Sequence, residues 1–258
     1  MDPTNYLFLT YLVIFVSFIA FIVFITVHIA KKQKPTKKSY IILFFILLGM
    51  YLFVPNRLYL LGAVYSDPEL LQKALKLSIN PRERSLCNYH LGEIYGGLLA
   101  DERFNLKYGK IIDGNKAIEY YEKAFKNYKY KDGWNTPLIN LYLLKGDYDK
   151  VIELDNSKSK LFARQAYIMQ DKFNEALKYY TSNSQGPCNL FLRAALLEKV
   201  GNVSEAKTIR NQAEKKYAEA LKNNKNTNEY KERVLVCRTI ESYKNYINNR
   251  SKAYGFIK

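Results

Sequence analysis

The sequence predicts an all-α protein in two parts: an N-terminal transmembrane helical hairpin and, after it, an α-solenoid of stacked helical hairpins. Three observations carry this reading. Two apolar runs lie before residue 55, no alternating strand pattern follows Arg57, and four similar turns recur at separations of 34, 25 and 30 residues.

The first apolar run, Tyr6 to Ile29, is "YLFLTYLVIFVSFIAFIVFITVHI", 24 residues without a charge. At ~1.5 Å per residue it exceeds the ~30 Å hydrocarbon core of a bilayer. Seventeen of its residues are Leu, Ile, Val or Phe, which favours insertion by roughly 5 to 10 kcal/mol. The flank "MDPTN" lacks a positive n-region and the run is too long for a signal-peptide core, so a retained span is expected.

The second run, Tyr40 to Val54, is "YIILFFILLGMYLFV", 15 residues or roughly 22 Å of helix. Lys38 and Arg57 could extend it by snorkelling, and Tyr40 and Tyr51 suit an interface. A second span is expected here, with a re-entrant or interfacial segment as the competing reading. The connecting loop, residues 30–39, carries Lys31, Lys32, Lys34, Lys37 and Lys38 and should face the cytoplasm. The expected placement is therefore multi-pass in the cytoplasmic (inner) membrane, with the C-terminal part on the periplasmic or extracellular side.

Residues 1–57 form the expected anchor, with spans at about 6–29 and 40–54, and residues 58–222 the expected repeats. In the repeats, the turns "NKA" (Asn115–Ala117), "DKV" (Asp149–Val151), "NEA" (Asn174–Ala176) and "SEA" (Ser204–Ala206) each open a helix with a polar residue able to cap exposed N–H groups. Three are preceded by helix ends, "LLKGDY", "IMQDKF" and "EKVGNV", in which Gly146 and Gly201 suit a left-handed terminating position and Asp171 is their counterpart. Residues 223–258 would supply a capping helix and tail, with Tyr230, Val234, Cys237 and Ile240 inward.

The segment "YHLGEIYGG" followed by "DGNKAIEYYEKAFKN" resembles the Sel1-like class of tetratricopeptide (TPR) repeat. Leu91, Gly92, Tyr95, Lys116, Ala117, Tyr120, Tyr121, Lys123 and Ala124 stand at its pattern positions. The later turns look more like ordinary tetratricopeptide hairpins, with Ala176, Tyr180, Ala206 and Ala213 in second helices. The resemblance covers about residues 68–215, although "LLADERFNLKYGKII" is longer than a hairpin turn needs and no later unit restores Leu-Gly-x-x-Tyr. It implies a stacked solenoid in which Gly92 and the alanines permit close helix approach and the tyrosines fill the layers.

Residues that could do chemistry are sparse. The two histidines, His28 and His90, have no partner at metal-ligand spacing, and Gly96-Gly97 lacks the Gly-Lys-Ser/Thr sequence of a phosphate loop. Adjacent Asp101 and Glu102 point apart on a helix. Cys87, Cys188 and Cys237 form no Cys-x-x-Cys pair; one disulfide with an odd thiol is conceivable, but buried apolar cysteines are the expectation. With 40 Lys and Arg against 24 Asp and Glu, the formal charge is +16, yet the basic residues alternate with acids along helices, so specific nucleic-acid binding is not expected. The aromatic-basic stretch "YYEKAFKNYKYKDGW" reads mainly as core packing, with Trp134 the residue best placed for a contact.

The expected function is that of a membrane-anchored scaffold, with no enzyme activity and no cofactor, that grips a protein or peptide partner on its first helices while two spans contact lipid. Asn88, Glu93, Asn140, Arg164 and Arg193, as polar residues on otherwise apolar helices, are with Trp134 the candidate contacts. The alternative is a membrane immunity, toxin-resistance or transport-accessory protein whose spans carry the function.

Overall fold

The computed structural model describes residues 16, 19, 22, 23, 26, 27, 37–97, 112–126, 135–157, 160–180, 186–223 and 227–257. Among them the fold is all-helical, without strands. The chain forms two compact units, one of residues 1–111 with 120–129 and one of residues 112–119 with 130–258.

The expected transmembrane hairpin is not found. No helix among the described residues is long and apolar enough to cross a membrane. Most of the first apolar run lies outside the described residues. The second run lies in α1 (Lys37–Val64), which begins in basic residues and continues past Val54 through Pro55, Asn56 and Arg57. Its uninterrupted apolar stretch is ~22 Å, short of the ~30 Å required, and its later turns pack against neighbouring helices. The multi-pass inner-membrane placement, with an outer-face C-terminal domain, is overturned on the same ground.

In the first unit, α1 turns at Ser66, whose φ is 50°, into α2 (Pro68–Leu77). Asp67 caps α2 by accepting from the backbone N–H groups of Glu69 and Leu70, at 2.9 and 3.2 Å. Pro68 fills a first-turn position that needs no N–H. Asn80 caps α3 (Pro81–Tyr95) in the same way, accepting from Arg82 N at 3.0 Å. Leu71, Leu91 and Ile94 make the core, with Tyr59, Leu75, Tyr95 and Tyr120 packed against it. The later part of α4 (Gly114–Lys126) closes this core. Gly92 is where α3 admits the Tyr121 ring, because a Cβ there would lie 2.9 Å from two ring atoms.

The second unit contains three helical hairpins: α5 (Thr136–Lys145) with α6 (Tyr148–Leu154), α7 (Leu161–Met169) with α8 (Phe173–Lys178), and α9 (Pro187–Lys199) with α10 (Val203–Lys222). Their turns share one bonding pattern. Asp147 N donates to Tyr142 O, Lys172 N to Tyr167 O and Asn202 N to Leu197 O, at 3.0, 2.9 and 2.8 Å. Gly146, Asp171 and Gly201 precede these donors with φ of 90°, 58° and 84°. This is the bond from the second residue past a helix back into its last turn that satisfies otherwise orphaned carbonyls.

The second helices begin earlier than the polar turn residues suggest. They start at Tyr148, Phe173 and Val203, and α4 likewise starts at Gly114, so Asp149, Asn174, Ser204 and Asn115 lie inside helices rather than capping them. The side-chain caps that do form come from Asp113, which accepts from Lys116 N, and Asn202, which accepts from Glu205 N.

Asp155 joins the first two hairpins. Its side chain, 1% exposed, accepts from Ser157 N and Oγ and from Phe162 N and Ala163 N, the two at 2.9 Å, and so caps the start of α7. Cysteine usage also departs from expectation. Cys188 and Cys237 form a disulfide with Cα atoms 5.1 Å apart, and Cys87 is the buried free thiol. The two half-cystines are 49 residues apart in sequence and meet only because α11 (Asn228–Val236) folds back onto α9.

Candidate functional site

The first helices of the three hairpins, α5, α7 and α9, all pack against the last helix, α12 (Ile240–Ala253). Ile240, Tyr243, Ile247 and Ser251 recur every three or four residues along α12 and are all buried. Such spacing places them on one helix face. Ser251 Oγ donates to Leu144 O at 2.6 Å, Lys244 pairs with Asp171 at 2.7 Å, and Lys199 pairs with Glu241 at 2.6 Å. The hydrogen bond between the last two raises the Lys199 pKa and lowers that of Glu241. The segment expected to cap the end of the stack therefore covers its first helices.

Beside this contact a cavity of about 770 Å³ remains, bounded by α5, α7 and the first turn of α9 on one side and by α11 and α12 on the other. The size falls within the ~300 to 1,000 Å³ common for ligand sites. Leu143, Leu161, Phe162, Pro187, Val234 and Ile247 give it apolar walls, and Asn140, Gln165, Asn189, Tyr230, Tyr243 and Tyr246 add polar groups. Arg233 and Arg250 are its charged lining residues, and none of the lining residues is Asp or Glu. The guanidinium of Arg250 lies 5.8 Å from the Tyr246 ring centroid. Both arginines lack an ion pair among the described residues, in contrast to Arg193, Arg210 and Arg238, which bind Glu205, Glu198 and Glu214.

A polar cluster supports the wall. Arg164, 3% exposed, donates from a terminal guanidinium nitrogen to Asn189 Oδ1 at 2.8 Å, and its guanidinium carbon lies 4.1 Å from the Tyr180 ring centroid. That bond uses the Asn189 carbonyl, so its Nδ2 is the atom left to donate. The hydroxyls of Tyr180 and Tyr243 are buried without a hydrogen-bond partner among the described residues. Burial pushes the Tyr180 hydroxyl up to about 12 and raises Tyr243 as well, because the phenolate would lose its hydration.

The candidate contacts separate in space. Asn140 lines the cavity, Arg164 stands behind its wall, and Arg193 turns to Glu205 on α10 at 2.9 Å. Asn88 and Glu93 belong to the first unit: buried Asn88 donates from Nδ2 to Arg84 O, and Glu93 lies 2.6 Å from His90 Nδ1. Trp134 lies outside the described residues. The sequence reading missed Tyr230, Arg233, Tyr243, Tyr246 and Arg250 as cavity residues because it assigned their helices to a terminal cap. Tyr243, Tyr246 and Arg250, spaced three and four apart, were the available sign of a functional helix face.

Among the described residues, no cluster of three or more His, Cys, Asp or Glu side chains could hold a metal ion. The chain matches no family model, no curated protein and no solved structure.

Proposed function

We propose that the chain is a helical recognition scaffold that binds a peptide segment of a protein partner in the second-unit cavity. The observation that carries this is the cavity itself: apolar walls from five helical elements, with polar donors and two arginines that form no ion pair among the described residues lining one space. Apolar walls bury the segment's side chains while a few placed polar groups fix its orientation. The three hairpins act as tetratricopeptide-class units, and α12 completes the site by forming one wall.

The test is selection from a random-peptide display library on the purified chain and on Leu161→Trp, which narrows the cavity from the start of α7. Peptides enriched on the native chain should lose binding to the variant while its circular dichroism is unchanged. No enrichment, or equal retention by Leu161→Trp, would overturn the reading.

A further inference from the structure

We propose that the cavity contains a carboxylate subsite at the first turn of α9, so that the bound peptide presents a free C-terminus or an acidic side chain there. This rests on the cavity being a peptide site.

Four observations converge. Gly186 at the start of α9 provides no side-chain cap, and Pro187 occupies the first turn without an N–H of its own. Helix geometry leaves the N–H groups of Cys188 and Asn189 without acceptors inside the helix, and the helix dipole makes this end favourable to an anion. All four of these residues line the cavity.

The second observation is Tyr243. It is 5% exposed and lines the cavity, and its hydroxyl is buried without a hydrogen-bond partner among the described residues. An acceptor that reaches an unpaired buried hydroxyl relieves its desolvation penalty. The third is Asn189, whose carbonyl is engaged by buried Arg164, which leaves an N–H donor for the cavity.

The fourth is charge. Arg233 and Arg250 line the cavity, no lining residue is Asp or Glu, and neither arginine forms an ion pair among the described residues. A carboxylate accepts two or more such donors at once, and charge-assisted bonds are roughly twice as strong as neutral ones. The apolar walls then suit a large hydrophobic residue adjoining the carboxylate.

The probes are three short peptides titrated into the full chain: acetyl-Ala-Leu-Phe with a free C-terminus, the same peptide as its amide, and acetyl-Ala-Leu-Phe-Asp amide. Binding is read from arginine side-chain and tyrosine ring resonances by NMR. The free acid, the aspartyl peptide or both should bind at least tenfold more tightly than the neutral amide and shift Arg233 and Arg250; whichever does so identifies the carboxylate source. Arg233→Gln/Arg250→Gln should remove that preference, and a preference that persists in this variant would overturn the subsite. If all three bind the native cavity equally, the carboxylate subsite is wrong and the peptide cavity stands. If none perturbs a cavity resonance, the peptide reading falls and the subsite falls with it.

Discussion

Gly92→Ala tests the packing of the first unit at one atom. A Cβ on Gly92 would lie 2.9 Å from Tyr121 Cδ1 and Cγ and 3.0 Å from Cδ2, where ordinary contact begins near 3.4 Å. The ring must therefore retreat by roughly half an ångström, the difference between 2.9 and 3.4 Å. It has little room, because Tyr121 is fully buried, with Tyr89 and Phe125 ring centroids at 5.4 and 6.2 Å. Overpacking costs about 1 to 3 kcal/mol, while Ala gains about 1 kcal/mol over Gly in a helix interior. The net expectation is destabilisation by ~1 kcal/mol. In a Tyr121→Leu background the clash disappears, so the same Gly92→Ala change should be neutral or stabilising by up to ~1 kcal/mol. Urea unfolding gives each stability, and hydrogen exchange in α3 and α4 localises the effect to the first unit. Equal stabilisation by Gly92→Ala in both backgrounds would refute the close-approach argument.

Three further perturbations address the second unit and the buried ionisable groups. Closing a loop of 49 residues limits the unfolded chain by about 4 kcal/mol on the chain-entropy estimate; reduction, or Cys188→Ala/Cys237→Ala, should therefore lower the unfolding free energy of the second unit by about 2 to 4 kcal/mol and its urea midpoint with it, and an unchanged midpoint would contradict the link. Asp155→Ala removes the acceptor of four hydrogen bonds and should cost roughly 2 to 4 kcal/mol, since groups left buried without partners carry the penalty; Asp155→Asn should cost less, and equal losses would show that acceptor chemistry is not the cause. Burial raises the Tyr180 hydroxyl from 10.0 to about 12 and the Cys87 thiol from 9.0 to about 12. The unfolded chain releases these protons first, so stability is full below about pH 9 and falls as pH rises toward 12, by about 1.4 kcal/mol per unit for each group in its own window. A flat stability profile from pH 8 to 11 would contradict this, as would fast thiol labelling of native Cys87.

How far the fold was legible depended on how local its cause was. The left-handed positions of Gly146, Asp171 and Gly201 lie in short turns, and those turns announce helical hairpins directly. The Gly92–Tyr121 fit was also legible as a pattern, because both residues belong to one spaced motif. The expected second span relied on Lys38 and Arg57 extending a run of ~22 Å by snorkelling. Tyr40–Val54 is part of a longer helix, but Pro55, Asn56 and Arg57 interrupt its apolar run before it reaches spanning length. The cap positions were missed by one or two residues, since Asp149, Asn174 and Ser204 favour first turns as well as caps.

The site was less legible because it is long-range. Asn140 was accessible to a pattern argument about first helices, but nothing local indicates that Tyr243 and Arg250 return to α5 and α7. The same long-range closure explains the cysteines: Cys188 and Cys237 share no motif, and only the return of α11 brings them together. Arg164 differs in kind. A polar residue on an apolar helix suggested a free contact, whereas it is buried as the donor that fixes Asn189.

Hydrogen exchange of the full chain with and without a library-selected peptide measures the central claim most directly. Slowed exchange should concentrate at residues 186–190, 230–237 and 243–250, the cavity edges contributed by α9, α11 and α12, and that protection should be lost in Leu161→Trp. Protection confined to α3 and α4, or unchanged exchange around the cavity with peptide bound, would contradict it.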